Sequence, residues 1–162
     1  MKKNTNYTKV IAISGVCMAL YIAVMFLTQS FAFGSVQIRI ATAIYSLSYL
    51  FPFLVLPLGL ANGLGNLLGG FGFFDIAGGF LVGIITSGAI ALVKKFNLSK
   101  LLIIPILIAG PGLIVPIWLS FILNVPYIYL AGSLCLGQAV PAVVGYFIVT
   151  VGERTAIGGM YE

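Results

Sequence analysis

Long apolar stretches, separated by short polar or glycine-rich breaks, run through most of the 162-residue chain. A helix that crosses the hydrocarbon core of a bilayer needs about 20 mainly apolar residues and satisfies its own backbone hydrogen bonds. Hydropathy alone does not decide whether the apolar stretch around Pro57 forms one helix or two. We predict an all-α membrane protein with a single integral membrane domain over residues 1–162 and six transmembrane helices, at about 10–32, 40–56, 57–69, 76–93, 101–123 and 129–151.

The composition excludes a soluble domain and most catalytic chemistry. Hydrophobic residues make up 61% of the chain and charged residues only 7%, whereas a soluble domain has about a quarter charged residues. The absence of histidine and the presence of three acidic residues argue against imidazole chemistry, a carboxylate dyad and a metal cage. Cys17 and Cys135 lie in apolar runs, so we interpret them as small buried hydrophobes. We therefore expect no enzyme activity, no metal and no cofactor.

Two groups of basic residues indicate the orientation: Lys2, Lys3 and Lys9 before the first helix, and Lys94, Lys95 and Lys100 after the fourth. Cytoplasmic loops carry an excess of Lys and Arg, so both groups are expected inside. An even number of spans must then separate them, which supports the division near Pro57. With Arg154 also inside, both the N- and C-termini are predicted to be cytoplasmic. We interpret the net charge of +5 as a topology signal and a contact with anionic membrane lipid; no basic face indicates nucleic acid.

With this topology, Arg39 and Asp75 are the two charged residues that lie outside the cytoplasmic loops and tails, and both fall on the outer side. A charge near the membrane core costs roughly 2.5–3.5 kcal/mol, so such residues often mark a pathway or a partner. Three interpretations remain open: exposure to solvent, a structural clasp between the two charges, and a polar ligand site.

Amide and aromatic side chains are further candidates for binding. Asn62 and Asn66 are four residues apart, hence on one helix face, and a carboxamide can match the amide edge of a purine-like ring. Interhelical hydrogen bonding is the alternative for both residues and for Gln138. Trp118 and Tyr127 have the ring area to stack on a planar ligand, although aromatic residues near helix ends often belong to the interfacial belt.

Small residues recur at four-residue spacing on two helices: Gly15, Ala19 and Ala23 on the first, and Gly79, Gly83 and Ser87 on the fourth. Such strips let helices approach closely, either within the protein or in contact with another membrane protein. We expect the fourth-helix strip to be internal and leave the first open. The chain lacks an ATP-binding G-x-x-x-x-G-K-[ST] loop and is small for a transporter built from two inverted repeats. These features favour a capture subunit that needs partners.

A glycine-rich motif identifies a resemblance to a known family. The run from Asn66 to Ile76, continuing to Gly79 and Leu81, resembles a signature of the queuosine-precursor transporter family, QueT. That signature is N-L-x-G-G-x-G-x-x-D-I-x-x-G-x-L. The family's Q-x-R-[IV]-x-x-A segment and its following helix are similar to Gln37, Arg39, Ile40 and Ala43 with Pro52 and Pro57. On the first helix, Ala19 and Ala23 resemble the A-x-x-x-A strip of the substrate-binding (S) components of energy-coupling factor (ECF) transporters.

The resemblance implies a six-helix S component in a prokaryotic cell membrane that binds a deazaguanine precursor of queuosine at the outer face. Its partners would be a transmembrane coupling subunit, which meets the face around Ala19 and Ala23, and two cytosolic ATPases. Carried over by position, Arg39, Asn66 and Asp75 are the leading ligand candidates.

Two positions depart from the family pattern. Thr42 and Gln138 stand where family members commonly have acids, and losing carboxylates weakens binding of a cationic aminomethyl group. The substrate could therefore be queuine, the nucleoside queuosine or a less cationic related base. An S component for another vitamin and a membrane assembly subunit without a small ligand remain alternatives.

Overall fold

The computed structural model describes residues 6–32 and 37–155, and these residues form helices and short connections without a β-strand. Six main helices follow one another: α1 (Tyr7–Leu27), α2 (Ile40–Leu50), α3 (Pro52–Gly69), α4 (Phe73–Lys95), α5 (Lys100–Leu123) and α6 (Tyr127–Arg154). A single turn, Gln29–Ala32, follows α1. The predicted all-helical fold is confirmed, whereas Lys2, Lys3 and most of the first predicted break lie outside the described residues.

Five of these helices are long and apolar enough to cross a membrane, and α2 is not. It consists of seven 3₁₀ residues and four α-helical residues. At 1.5–2.0 Å per residue, that amounts to about 20 Å, short of the roughly 30 Å of hydrocarbon. The number of spans and the orientation of the termini therefore stay predictions.

The second and third helices divide at Phe51, earlier than the predicted division near Pro57. Phe51 has an extended backbone, with φ −129° and ψ 82°. A residue that precedes proline is disfavoured in the α region, so Pro52 favours a break in the helix at Phe51. Pro57 lies in the first turn of the segment Val55–Asn66, where a backbone N–H has no helical acceptor and its loss is tolerated.

Glycines bring α3 and α4 into close contact. A Cβ on Gly83 would lie 2.8 Å from the Cα of Gly59, and a Cβ on Gly59 would lie 3.1 Å from the backbone oxygen of Phe80. Ser87 is buried, and its hydroxyl donates to the backbone oxygen of Gly83 at 2.5 Å. The fourth-helix strip is therefore internal packing, as predicted, and it brings the polar face of α3 against the backbone of α4.

The α-helical part of α5 is interrupted at Val115 and so consists of two parts, Ile103–Ile114 and Pro116–Leu123. Pro111 lies inside the first part and Pro116 begins the second. α5 packs closely against α6 at Gly112, where an added Cβ would lie 2.6 Å from Cys135 Sγ. The second part carries Trp118 to the side of α4.

We predict that Gly83→Leu lowers the free energy of unfolding by about 1–3 kcal/mol, because the added side chain has no space against Gly59. Thermal or denaturant unfolding of the purified protein in detergent measures the change. The matched control is Gly88→Ala on the same helix, whose new Cβ would meet only Val55 Cγ1 at 3.7 Å. Equal stability of the two variants would contradict the described contact between α3 and α4.

Candidate ligand-binding site

Asp75 lies in the first turn of α4, and two glycines place it there. Gly70 (φ 70°) and Gly72 (φ 85°) adopt positive φ values, which glycine reaches at little cost. A carboxylate in a first turn is favoured by the partial positive charge of the helix N-terminus. Asp75 has no exposed surface, and its Oδ1 accepts a hydrogen bond from Trp118 Nε1 at 3.0 Å. Its Oδ2 is also buried and has no hydrogen-bond partner among the described residues.

Asn66 connects Asp75 to Arg39. The Arg39 guanidinium donates from Nη1 to Asn66 Oδ1 at 2.9 Å, and Asn66 Nδ2 donates to the backbone oxygen of Asp75 at 2.8 Å. Arg39 is only 3% exposed. The solvent-exposed interpretation of the two charges is therefore wrong, because both lie inside the protein and are joined through the carboxamide of Asn66.

Asn62 forms the corresponding link one turn earlier on α3. It accepts from the Tyr21 hydroxyl at 2.9 Å and donates from Nδ2 to the backbone oxygen of Gly79 at 2.6 Å. The Tyr21 hydroxyl also lies 3.1 Å from that of Tyr45, and the two rings are stacked with centroids 5.5 Å apart. Asn62 and Asn66 thus make the interhelical hydrogen bonds that the sequence left as an alternative, and each keeps one further N–H and lone pair.

Gln138 and Thr42 extend the cluster to α6. Both are buried, and the Thr42 Oγ1 lies 2.7 Å from Gln138 Oε1 and 2.7 Å from the backbone oxygen of Arg39. One hydroxyl proton serves only one of these acceptors. Rotating the Gln138 amide, whose oxygen and nitrogen are interchangeable by shape, lets its N–H donate to Thr42 while Thr42 donates to Arg39.

Sequence reasoning did not propose three buried polar residues of this region as site residues: Tyr21, Tyr45 and Gln37, the last named only within the family motif. Gln37 is buried, and its Oε1 has no partner among the described residues. Its backbone oxygen would lie 2.5 Å from a Cβ on Gly137, so the glycine admits this segment against α6. Tyr21 shares a buried face of α1 with Met25, and their four-residue spacing was the signal available in the sequence.

Tyr127 is the predicted site residue that lies apart from this cluster. It begins α6, is 41% exposed, and donates its hydroxyl to the backbone oxygen of Leu113 at 2.9 Å. Trp118 joins the cluster through its indole N–H. The polar network therefore comprises Arg39, Thr42, Asn62, Asn66, Asp75, Trp118 and Gln138, with Tyr21 and Tyr45.

The network combines charged and neutral hydrogen-bonding side chains. It contains one cation and one anion, and its other members are neutral hydrogen-bonding groups. Buried polar groups are costly unless they are satisfied, and in a membrane they commonly mark a pathway or a ligand. Among the described residues, no group of three or more His, Cys, Asp or Glu side chains is placed to hold a metal ion.

The small-residue strip on α1 lies on the opposite side of that helix from its buried face. Gly15, Ala19 and Ala23 are exposed, and a Cβ on Gly15 would meet nothing within 4 Å. Tyr21 and Met25 are buried. The strip is therefore free of packing within the described part of the chain.

We predict that Tyr21→Phe lowers the free energy of unfolding by about 1–3 kcal/mol, and that Tyr45→Phe costs less. Removing the Tyr21 hydroxyl takes a hydrogen-bond partner from Asn62 and from Tyr45, whereas removing the Tyr45 hydroxyl affects only Tyr21. Unfolding in detergent gives both values. A larger loss in Tyr45→Phe would contradict this order of the hydrogen bonds.

Comparison with known proteins places the chain in a family. A family model described as QueT transporter matches residues 11–154, a range that contains every residue of the polar network. Neither a curated protein nor a solved structure matches the chain significantly. The match covers most of the chain and agrees with the glycine-rich motif before Asp75. This integral membrane protein therefore belongs to the QueT transporter family, whose role is transport rather than catalysis.

Proposed function

We propose that the chain is the S subunit of an ECF-type ATP-driven importer and binds a queuosine precursor at the extracellular face. The observation that carries this proposal is the buried network of Arg39, Asn66, Asp75 and Trp118 in a member of a transporter family. The ligand is a deazaguanine base, such as aminomethyl-deazaguanine or queuine, or the nucleoside queuosine.

The donors and acceptors of the network complement the polar edge of such a base. A deazaguanine ring presents amide and amine N–H donors beside a carbonyl acceptor. The Asp75 carboxylate accepts from the donors, and the remaining N–H of Asn66 donates to the carbonyl. Arg39, which lies just before α2 and bonds to Asn66, organises the segment that closes over the ligand.

The neutral contact between Thr42 and Gln138 narrows the choice of substrate. Asp75 is the one buried acid among the described residues. An ammonium group on the ligand thus has a single carboxylate partner, and the amide and hydroxyl groups at the other end of the network favour a neutral part of the ligand. This arrangement favours a base with at most one ammonium group over a ligand that needs two acids.

Transport then has two steps: the chain captures the ligand, and the partner subunits supply the energy for its uptake. Ligand contacts that exist only in the closed form shift the population toward it. The chain has no phosphate-binding loop of its own, so two partner ATPases supply the energy through a transmembrane coupling subunit. The exposed strip at Gly15, Ala19 and Ala23 offers that subunit a surface for close helix packing.

We predict that Asp75→Asn weakens binding of deazaguanine bases by tenfold or more, because a charge-assisted hydrogen bond is replaced by a neutral one. A thermal-shift panel on the purified protein with deazaguanine bases, queuosine and common vitamins identifies the ligand. A true ligand at a hundredfold its dissociation constant adds about 2.7 kcal/mol. Titration then compares the wild type with the variant.

The unliganded variant should unfold near the wild-type temperature, since Asn preserves the shape of Asp. Unchanged affinity in Asp75→Asn would remove Asp75 from the site. Stabilisation by another vitamin and by no deazaguanine would favour the alternative S component. No stabilisation by any compound would favour an assembly subunit.

We predict that the double substitution Ala19→Leu and Ala23→Leu abolishes uptake in cells but leaves ligand binding to the purified chain unchanged. The bulky side chains keep a partner helix from approaching α1, whereas the polar network lies on the other side of this helix. The matched control is Gly132→Leu on α6, another exposed position where a Cβ would meet nothing within 4 Å. Uptake that survives in the double variant would show that the strip is not the docking surface.

A further inference from the structure

We propose that Trp118 is a positioning residue for Asp75. Gly78, which has no side chain, leaves the space in which the indole ring of Trp118 packs. The indole holds one carboxylate oxygen and leaves the other as a directed acceptor for an N–H group of the ligand. The ligand part of this inference rests on the proposed function, whereas the positioning of the carboxylate does not.

The indole ring of Trp118 packs directly against the backbone at Gly78. A Cβ on Gly78 would lie 2.6 Å from Trp118 Cζ2 and 2.7 Å from Cε2. Any other residue at this position therefore has to displace the indole. Gly78 is one turn after Asp75 on α4, and residues three apart share a helix face. The ring thus covers the backbone at Gly78 while its Nε1 donates to Asp75 Oδ1 at 3.0 Å.

The surrounding core holds the ring in this place. Trp118 belongs to the part of α5 that begins at Pro116. It packs against a cluster that includes Val82, Val115 and Leu119, all of them buried. A donor fixed by packing keeps its partner oriented before a ligand arrives, which removes part of the ordering cost of binding.

The two carboxylate oxygens are therefore not equivalent. Oδ1 already accepts from the indole, and an indole N–H can only donate. Oδ2 is buried and keeps its full capacity among the described residues. This geometry favours a ligand with a ring N–H, amine or ammonium group that donates to one carboxylate oxygen. It does not favour a ligand group that donates equally to both oxygens.

The single tryptophan of the chain makes the positioning contact directly observable. With ¹⁵N-labelled protein in detergent micelles, we expect a slowly exchanging indole N–H resonance in the wild type. It should shift and exchange faster in Asp75→Ala, which removes the acceptor, and in Gly78→Ala, which displaces the ring. Gly88→Ala, the control on the same helix, should leave it unchanged. An unchanged resonance in Asp75→Ala would overturn the proposal.

Ligand affinity provides the second readout. Trp118→Phe keeps an aromatic ring but removes the N–H, and we expect it to weaken binding of queuine about tenfold. Gly78→Ala should weaken binding similarly, and the double variant should bind no worse than the weaker single variant, since both changes break the same contact. Unchanged affinity in Trp118→Phe would also overturn the proposal. If the wild type binds no deazaguanine, the proposed function fails, and the indole resonance alone decides the positioning role.

Discussion

Two residues of opposite charge are buried in an apolar helical protein, and Asn66 connects the guanidinium of Arg39 to the backbone of Asp75. The Asn66 carboxamide accepts from Arg39 and donates to the backbone of Asp75. These hydrogen bonds offset part of the cost of removing polar groups from water. The need to satisfy them fixes how α3 lies against α4 and how the segment before α2 enters the protein.

Glycines make this network sterically possible. A Cβ on Gly79 would overlap the amide of Asn66, and one on Gly78 would overlap the ring of Trp118. Gly137 likewise admits the backbone of Gln37. The sequence therefore places polar side chains and glycines on facing helices, and the absence of a side chain at one position is what allows the hydrogen bond at another. This coupling explains why the glycine-rich run before Asp75 and the strip after it belong to one structural unit.

Most helices could be predicted because they depend on local hydrophobicity. The predicted fourth, fifth and sixth segments overlap α4, α5 and α6, with ends that differ by up to three residues. The short length of α2 and the break at Phe51 were not predicted, since apolar composition alone does not set where a helix begins and ends. The internal packing of Gly83 was predicted from spacing alone, whereas the exposure of Ala19 and Ala23 required the fold.

The sequence by itself determined the membrane class, the QueT family and the candidates Arg39, Asn66 and Asp75, because scarce charges and a contiguous glycine motif are visible in one dimension. Only the tertiary structure decided which of those residues meet. It separated Tyr127 from the network, brought Gln138 to Thr42 across the chain, and added Tyr21 and Tyr45. The physical reason is that hydrogen bonds act over about 3 Å, so partners distant in sequence become neighbours only through helix packing.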